Sequence, residues 1–238
     1  MNVLVVGAGA MGRWLAERLA ATHTVAVTDT DTDRADAVAA DLGVGTDTGG
    51  SYDLLAFAVP MSAIEPAARE YAGRADAVID VTGEMRDTLA ALRDSFPDAA
   101  RVSTHPLFAP DNEPGTIAVV EDAPDDRTTA ALDALTAAGN ELYETTASEH
   151  DEAMETVQAK THAAVLAFAL AADEVPEPFH TPISGPLSEL SDAVTSGDPT
   201  VYAEIQRRFD GAEEVAAAAE RVASDPDSLA DLFSEVAE

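Results

Sequence analysis

Three glycines near the start of the chain and one histidine near its middle are the residues whose type and setting point most directly to chemistry. Gly7-Ala8-Gly9-Ala10-Met11-Gly12 fits the pattern G-x-G-x-x-G; it directly follows the apolar run 3–6 and directly precedes a helical stretch, 13–21. In that context the first glycine makes the turn and the second lets a pyrophosphate approach the backbone. The third allows close helix–strand packing, and the helix N-terminus, through Ala10 and Met11, offers amide donors and a positive dipole end. Asp29 closes the next apolar run, 23–28, roughly 20 residues beyond the glycines, where a carboxylate accepts both ribose hydroxyls of NAD and repels the 2′-phosphate of NADP. It stands among other acids, Asp31 and Asp33, with Arg34 the only nearby cation, so the alternative is one more surface carboxylate. Val59 and Pro60 are expected on the adenosine side, and Thr82, with Gly83, near the nicotinamide ribose.

Of the five histidines, His105 has the most suggestive setting: it follows the apolar run 100–104 in Ser103-Thr104-His105-Pro106-Leu107-Phe108. This places it at the carboxyl edge of a sheet, where open α/β sheets bind ligands, with Thr104 beside it as a substrate contact. Histidine is the natural acid–base group near neutral pH. His150 and His162 fall in one long helical stretch, twelve residues or about 18 Å apart at helical rise. Both can face a cleft and touch substrate; otherwise His150 caps a helix start and His162 is a buried, hydrogen-bonded core residue. His23 and His180 carry no such context.

The elements that must position these residues alternate through the first half. Strand-like runs at 3–6, 23–28, 52–59, 77–81, 100–104, 115–120 and 141–145 are separated by helical stretches at 13–21, 34–42, 63–71, 86–95 and 127–138. Such alternation with short connections predicts a mostly parallel, doubly wound sheet of the Rossmann type. From about residue 148 only helical patterns occur: 149–172, 188–195, 199–209 and an Ala- and Glu-rich, solvent-facing tail, 212–238. The expected organisation is a dinucleotide-binding domain over 1–146 and an all-α domain over 147–238.

The 238 residues, 46% of them hydrophobic, suffice for a core-bearing domain and a smaller second one. No apolar run is long enough to span a membrane and no signal peptide is evident. With no cysteine, disulfides and thiolate metal sites are excluded, and no metal is expected. Asp and Glu number 45 against 13 Lys and Arg, a formal net charge of −32, and Lys160 is the only lysine. A surface of that sign repels nucleic acid and anionic lipid and is relieved by salt screening. These features predict a cytoplasmic, salt-adapted protein with a small-molecule partner.

The chain resembles the prephenate dehydrogenases of tyrosine biosynthesis nearly end to end. GAGAMG stands at the start, THPLFAPD resembles the family's HPMFGP segment, and SEHDEAMETVQAKTHAAVLAFAL resembles its "EHD…M…Q…H" helix. HTPISGPLSEL and DPTVYAEIQ resemble its S-P-x-Y-R and D-P-x-L-Y-A-D-I stretches. The resemblance implies oxidative decarboxylation of prephenate to 4-hydroxyphenylpyruvate with reduction of NAD, His105 taking the proton of the ring hydroxyl, and a helical second domain that forms a homodimer. Three positions depart from the family: Gly185 replaces an Arg that grips a substrate carboxylate, Thr82-Gly83-Glu84-Met85 replaces S-x-K, and Ala109 replaces Gly. Prephenate is a dianion, so Lys160, with His162, is the expected substitute for the missing Arg, unless Lys160 is simply a solvated surface lysine. Arogenate or another acid is the neighbouring substrate. A cofactor-binding regulator that has lost catalysis is the reading from a different class.

Overall fold

Side chains alternate along β1 (Asn2–Val6) so that Val3 and Val5 enter one core and Leu4 and Val6 another. That is the signature of a strand covered on both faces. The computed structural model describes residues 1–224 and 229–236, divided into two units, Met1–Asp151 and Glu152–Glu238. In the first unit β1 is followed by α1 (Ala10–Ala20), β2 (Thr24–Thr28), α2 (Thr32–Leu42), β3 (Gly45–Thr46), β4 (Leu54–Phe57), α3 (Ile64–Glu70), β5 (Ala77–Asp80) and α4 (Arg86–Ser95). Then come β6 (Ala100–Pro106), β7 (Thr116–Ala123), α5 (Asp126–Ala137), β8 (Glu141–Glu144) and the start of α6 (Ala147–Met154).

The eight strands form one sheet in the order β3-β2-β1-β4-β5-β6-β7-β8. All neighbours are parallel except β6 and β7, which pair antiparallel with His105 opposite Ala118. One face packs Leu15, Leu19, Val27, Ile79, Val102 and Leu135; the other packs Leu55, Phe57, Ile64, Val78, Leu92 and Phe96. The fold is the doubly wound one expected, with three local corrections. The strand expected from residue 52 begins at Leu54, and Tyr52 makes only an isolated bridge to Ala75. β3, two residues long, carries too little apolar pattern to be seen in sequence. β6 runs through Pro106, so His105 lies inside a strand rather than after it. Its last residues are held by β7, which returns antiparallel from a short connection.

The unit boundary falls within α6, a turn later than the expected 146. His150 and Asp151 stay with the first unit because their side chains bond to it: Asp151 accepts from the amides of Met85 (3.0 Å) and Arg86 (3.1 Å). Helix α4 has no cap from Met85, the residue just before it. Its four leading amides are instead taken by two carboxylates, Asp151 for Met85 and Arg86 and Glu84 for Asp87 (2.8 Å) and Thr88 (3.2 Å).

Every regular element described in the second unit is a helix. After α6 the chain makes a π-helical turn, Glu155–Lys160, and continues as α7 (Thr161–Ala171), α8 (Ser184–Thr195), α9 (Pro199–Arg208), α10 (Gly211–Ser224) and α11 (Leu229–Val236). The continuous helix expected over 149–172 is therefore interrupted; the amide of Gln206 donates to the Ala159 carbonyl within the π turn at 2.9 Å. α8 starts four residues before the expected 188, because Pro186 is tolerated in a first helical turn. Residues 225–228 and 237–238 of the expected helical tail lie outside the described residues.

Candidate active site

The glycine turn is built for close approach. Gly7 has φ +105°, a conformation that glycine adopts without strain, and a methyl built there would collide with the Ala58 carbonyl. A methyl on Gly12 would collide with the Gly7 carbonyl oxygen and lie 2.7 Å from the Gly7 carbonyl carbon, so α1 rests directly on the turn. A methyl on Gly9 meets nothing within 4 Å. Gly9 precedes α1 without capping it, so no side-chain cap occupies the start of the helix at Ala10 and Met11. Room at Gly9 beside uncapped helix amides is what a dinucleotide pyrophosphate requires, so the residues fit the cofactor.

Asp29 is mostly buried, and its carboxylate accepts from the amides of Ala8 (2.7 Å) and Asp31 (2.9 Å). It thus braces the glycine turn from the end of β2, with Arg34 3.9 Å away. Val59 and Pro60 follow β4; Val59 lies 3.3 Å from a methyl built on Gly7, and Pro60 is exposed. Thr82 is turned inward: its hydroxyl lies 2.7 Å from Asp80 Oδ1 and 3.0 Å from both the Glu84 carbonyl and Thr88 Oγ1. Thr104 is fully buried and its hydroxyl donates to the Asp80 carbonyl at 2.5 Å, tying β6 to β5.

His105 is 7% exposed, and its Nδ1 lies 2.9 Å from Nε2 of His150, with the rings edge-on. Nδ1 of His150, itself 3% exposed, lies 2.8 Å from Asp151 Oδ1. A side chain on Gly83 would come within 3.7 Å of His105 Nε2. Burial, reinforced by His150, pushes the His105 imidazole down to about 3, against the pull of Asp151. His105 is therefore neutral at every physiological pH.

Sequence reasoning missed two acids here. Asp151 is the last letter of the EHD run, so an acid adjacent to a histidine was the available signal; its capping of α4 leaves none. Asp80 ends the buried strand β5, and a lone acid in that apolar run was the clue. Burial raises Asp80 to about 7, against the hydrogen bonds from Thr82, and its Oδ2 has no hydrogen-bond partner. The folded state then holds a proton that the unfolded chain gives up near pH 4, so this group costs stability as pH rises from about 4 to 7. Asp80→Asn is expected to gain stability over wild type by up to about 1.4 kcal/mol per pH unit across that window, read by chemical denaturation at pH 4.5 and 7.5. An unchanged difference between the two would overturn the assignment.

In the second unit, Nζ of Lys160 pairs with Glu214 Oε2 at 2.6 Å, which raises its pKa. The His162 ring sits edge-on to Tyr202 with centroids 4.8 Å apart, its Nδ1 is buried without a partner, and burial lowers its pKa. Gly185 lies in the first turn of α8. Among the described residues no group of His, Asp and Glu could hold a metal ion, and no helix is long and apolar enough to cross a membrane.

A glycine turn on a doubly wound sheet, with a neutral buried imidazole at its rim, defines an oxidoreductase with a dinucleotide-binding fold. Residues 2–84 match the family described as NADP oxidoreductase, coenzyme F420-dependent. A 4-amino-4-deoxyprephenate dehydrogenase of Streptomyces pristinaespiralis is 32% identical over 240 aligned positions, covering 88% of this chain and 78% of the relative. The chain belongs to the prephenate/arogenate dehydrogenase family. Its fold matches the prephenate dehydrogenase of A. aeolicus solved with hydroxyphenyl propionate and NAD+, with a TM-score of 0.73 at 16% identity over 99% of this chain and 96% of that one. It also matches Synechocystis arogenate dehydrogenase, with a TM-score of 0.66 at 16% identity over 99% and 92%.

Proposed function

We propose that the protein is a prephenate dehydrogenase that converts prephenate to 4-hydroxyphenylpyruvate and CO2. The observation that carries this reading is His105: an imidazole held neutral, anchored through Nδ1, and placed at the carboxyl edge of the sheet on the strand next to β5. Bound NAD would supply the hydride acceptor, held by Gly7, Gly9, Ala10, Met11 and Gly12, with Asp29 directed at the ribose and Val59, Pro60 and Thr82 beside it. His105 accepts the proton of the ring hydroxyl as the ring becomes aromatic. Aromatisation drives the step, so the protein's task is positioning and proton acceptance. Lys160 and His162 are the proposed partners of the substrate carboxylates. Lys160 must leave Glu214 to serve, and the Nδ1 of His162, buried and without a hydrogen-bond partner, must become accessible.

The substrate of the Streptomyces relative, by its name, bears an amine where prephenate bears the hydroxyl. The test is therefore NADH formation with prephenate, arogenate and 4-amino-4-deoxyprephenate side by side. Turnover of prephenate at the highest kcat/KM supports the reading; preference for an amine-bearing acid overturns it. No turnover of any of the three, with cofactor binding retained, would leave a cofactor-binding regulator.

The partner we propose is a second copy of the chain. Leu170, Phe179 and Ile183 are strongly exposed, and α7 is apolar on every side yet has only Val165 buried. Sedimentation as a monomer at micromolar concentration would exclude this. With a net charge of −32, we further place the protein in a salt-rich cytoplasm, where melting temperature rises with KCl. A flat or falling response would exclude salt adaptation.

A further inference from the structure

We propose that His105 is only the first station for the substrate proton: Asp151 and His150 lock His105 as the Nδ1–H tautomer and His150 receives the proton that His105 passes on. This rests on the proposed dehydrogenase reaction, and it makes His150 and Asp151 positioning residues rather than the substrate contact expected of His150.

The tautomers follow from counting donors. Asp151 Oδ1 faces the Met85 amide (3.0 Å) and His150 Nδ1 (2.8 Å); Oδ2 faces the Arg86 amide (3.1 Å) and Arg86 Nε (3.2 Å). Two backbone amides and a guanidinium can only donate, so Asp151 serves as an acceptor and is ionised. Burial alone would raise its pKa, but the bonds from His150, Met85, Glu84 and Arg86 carry it below the usual carboxylate range. Asp151 then holds a hydrogen on Nδ1 of His150, and in the neutral ring of the proposed resting relay Nε2 of His150 is left as an acceptor. Across the 2.9 Å contact the donor must be His105 Nδ1–H. The lone pair of His105 is thereby fixed on Nε2, the atom nearest Gly83.

The same chain gives the proton a destination. The hydroxyl hydrogen moves to His105 Nε2 while its bonding electrons stay on the substrate oxygen. The Nδ1 hydrogen moves to His150 Nε2, and His105 becomes neutral again as the Nε2–H tautomer. Once hydride has left C4 and the ring carboxylate departs as CO2, its electron pair makes the ring aromatic and the oxygen a phenolate, which takes the proton back by the same path, so His150 holds it only between the two bond-breaking events. Both rings are buried, but the positive charge then sits on His150, 2.8 Å from a carboxylate, instead of on His105, one ring further from it. The charged or titratable groups around the pair are Asp151 on α6, Glu84 and Arg86 at the start of α4, and Asp80 on β5. Glu84 accepts from the Asp87 and Thr88 amides and also lies against Asp151, and Asp151 is the acid whose carboxylate meets His150.

The test uses 15N-histidine-labelled full-length protein without substrate, together with steady-state kinetics. Wild type is expected to show one His105 signal with a protonated Nδ1 and an unprotonated Nε2. Asp151→Asn keeps an oxygen for the α4 amides, since Asn caps helices as well as Asp, but its amide group can also donate. It is expected to shift His105 towards the other tautomer and to lower kcat about a hundred- to ten-thousand-fold with little change in KM. His150→Gln removes the second imidazole and is expected to lower kcat similarly. A role confined to structure would lower the melting temperature of either variant and leave the His105 tautomer and kcat as they are, and would overturn the relay. So would a wild-type His105 carrying its hydrogen on Nε2. The nitrogen signals are read on resting protein, so they remain informative if prephenate proves not to be the substrate.

Discussion

His105→Asn is expected to lose about a hundred- to ten-thousand-fold in turnover while binding the dinucleotide as tightly as wild type. The asparagine amide reaches the place of the imidazole Nδ1 and can still donate to His150, so neither His150 nor Asp151 is stranded without its neighbour. What disappears is the acceptor at Nε2. The glycine turn and Asp29 belong to β1, α1 and β2 and do not touch this group, so cofactor affinity is unaffected. Calorimetric titration with NAD and NADH formation from prephenate read the two halves separately. Full turnover in the variant would remove His105 from the mechanism.

The glycine turn should show the second large effect, divided between two positions. Gly12→Ala places a methyl against the Gly7 carbonyl, with the Ala58 side chain 3.4 Å away, and backbone cannot rotate aside as a side chain could. The expected cost is about 3 kcal/mol of stability or more, with loss of cofactor binding because α1 must lift from the turn. Gly9→Ala meets nothing within 4 Å, and its φ of −71° suits any residue, so its stability should stay near wild type. Its methyl occupies the space through which the pyrophosphate approaches, so affinity for NAD should still fall at least tenfold. Calorimetry paired with denaturant unfolding distinguishes the two. Equal stability losses in both variants would mean that the turn has no ligand-facing side.

Much of this was legible beforehand because the relevant signals are local. The six-residue glycine pattern lies between a strand and a helix whose edges the sequence places within a few residues. His105 declares itself by its position at the end of an apolar run. The hidden parts depend on long-range pairing. β6 extends past Thr104 only because β7 comes back beside it, and nothing in residues 100–106 encodes that partner. Asp151 gains its role only because α4, more than sixty residues earlier, lacks a cap of its own, and nothing near residue 151 encodes that pairing. The π turn at Glu155–Lys160 leaves the apolar spacing of its helix nearly intact, so a continuous helix is the natural reading. His150 was visible as a candidate site residue, but its contact with a second imidazole, His105, was not, because one-dimensional spacing does not show which side chains meet.

The antiparallel return of β7 bears on how the family could diversify. Each βα crossover in the sheet carries the chain from the carboxyl rim to the opposite one before the next strand begins. The segment from Leu107 to Gly115 does not: it leaves β6 just after His105 and enters β7 at the same rim. Phe108 packs on the core against Trp14 and Glu113 pairs with Arg18, but insertions or exchanges between them leave every helix crossover in place, on a connection that starts two residues after the base. This stretch is therefore the place where evolution, or a directed library, can exchange one ring acid for another at the least risk to folding.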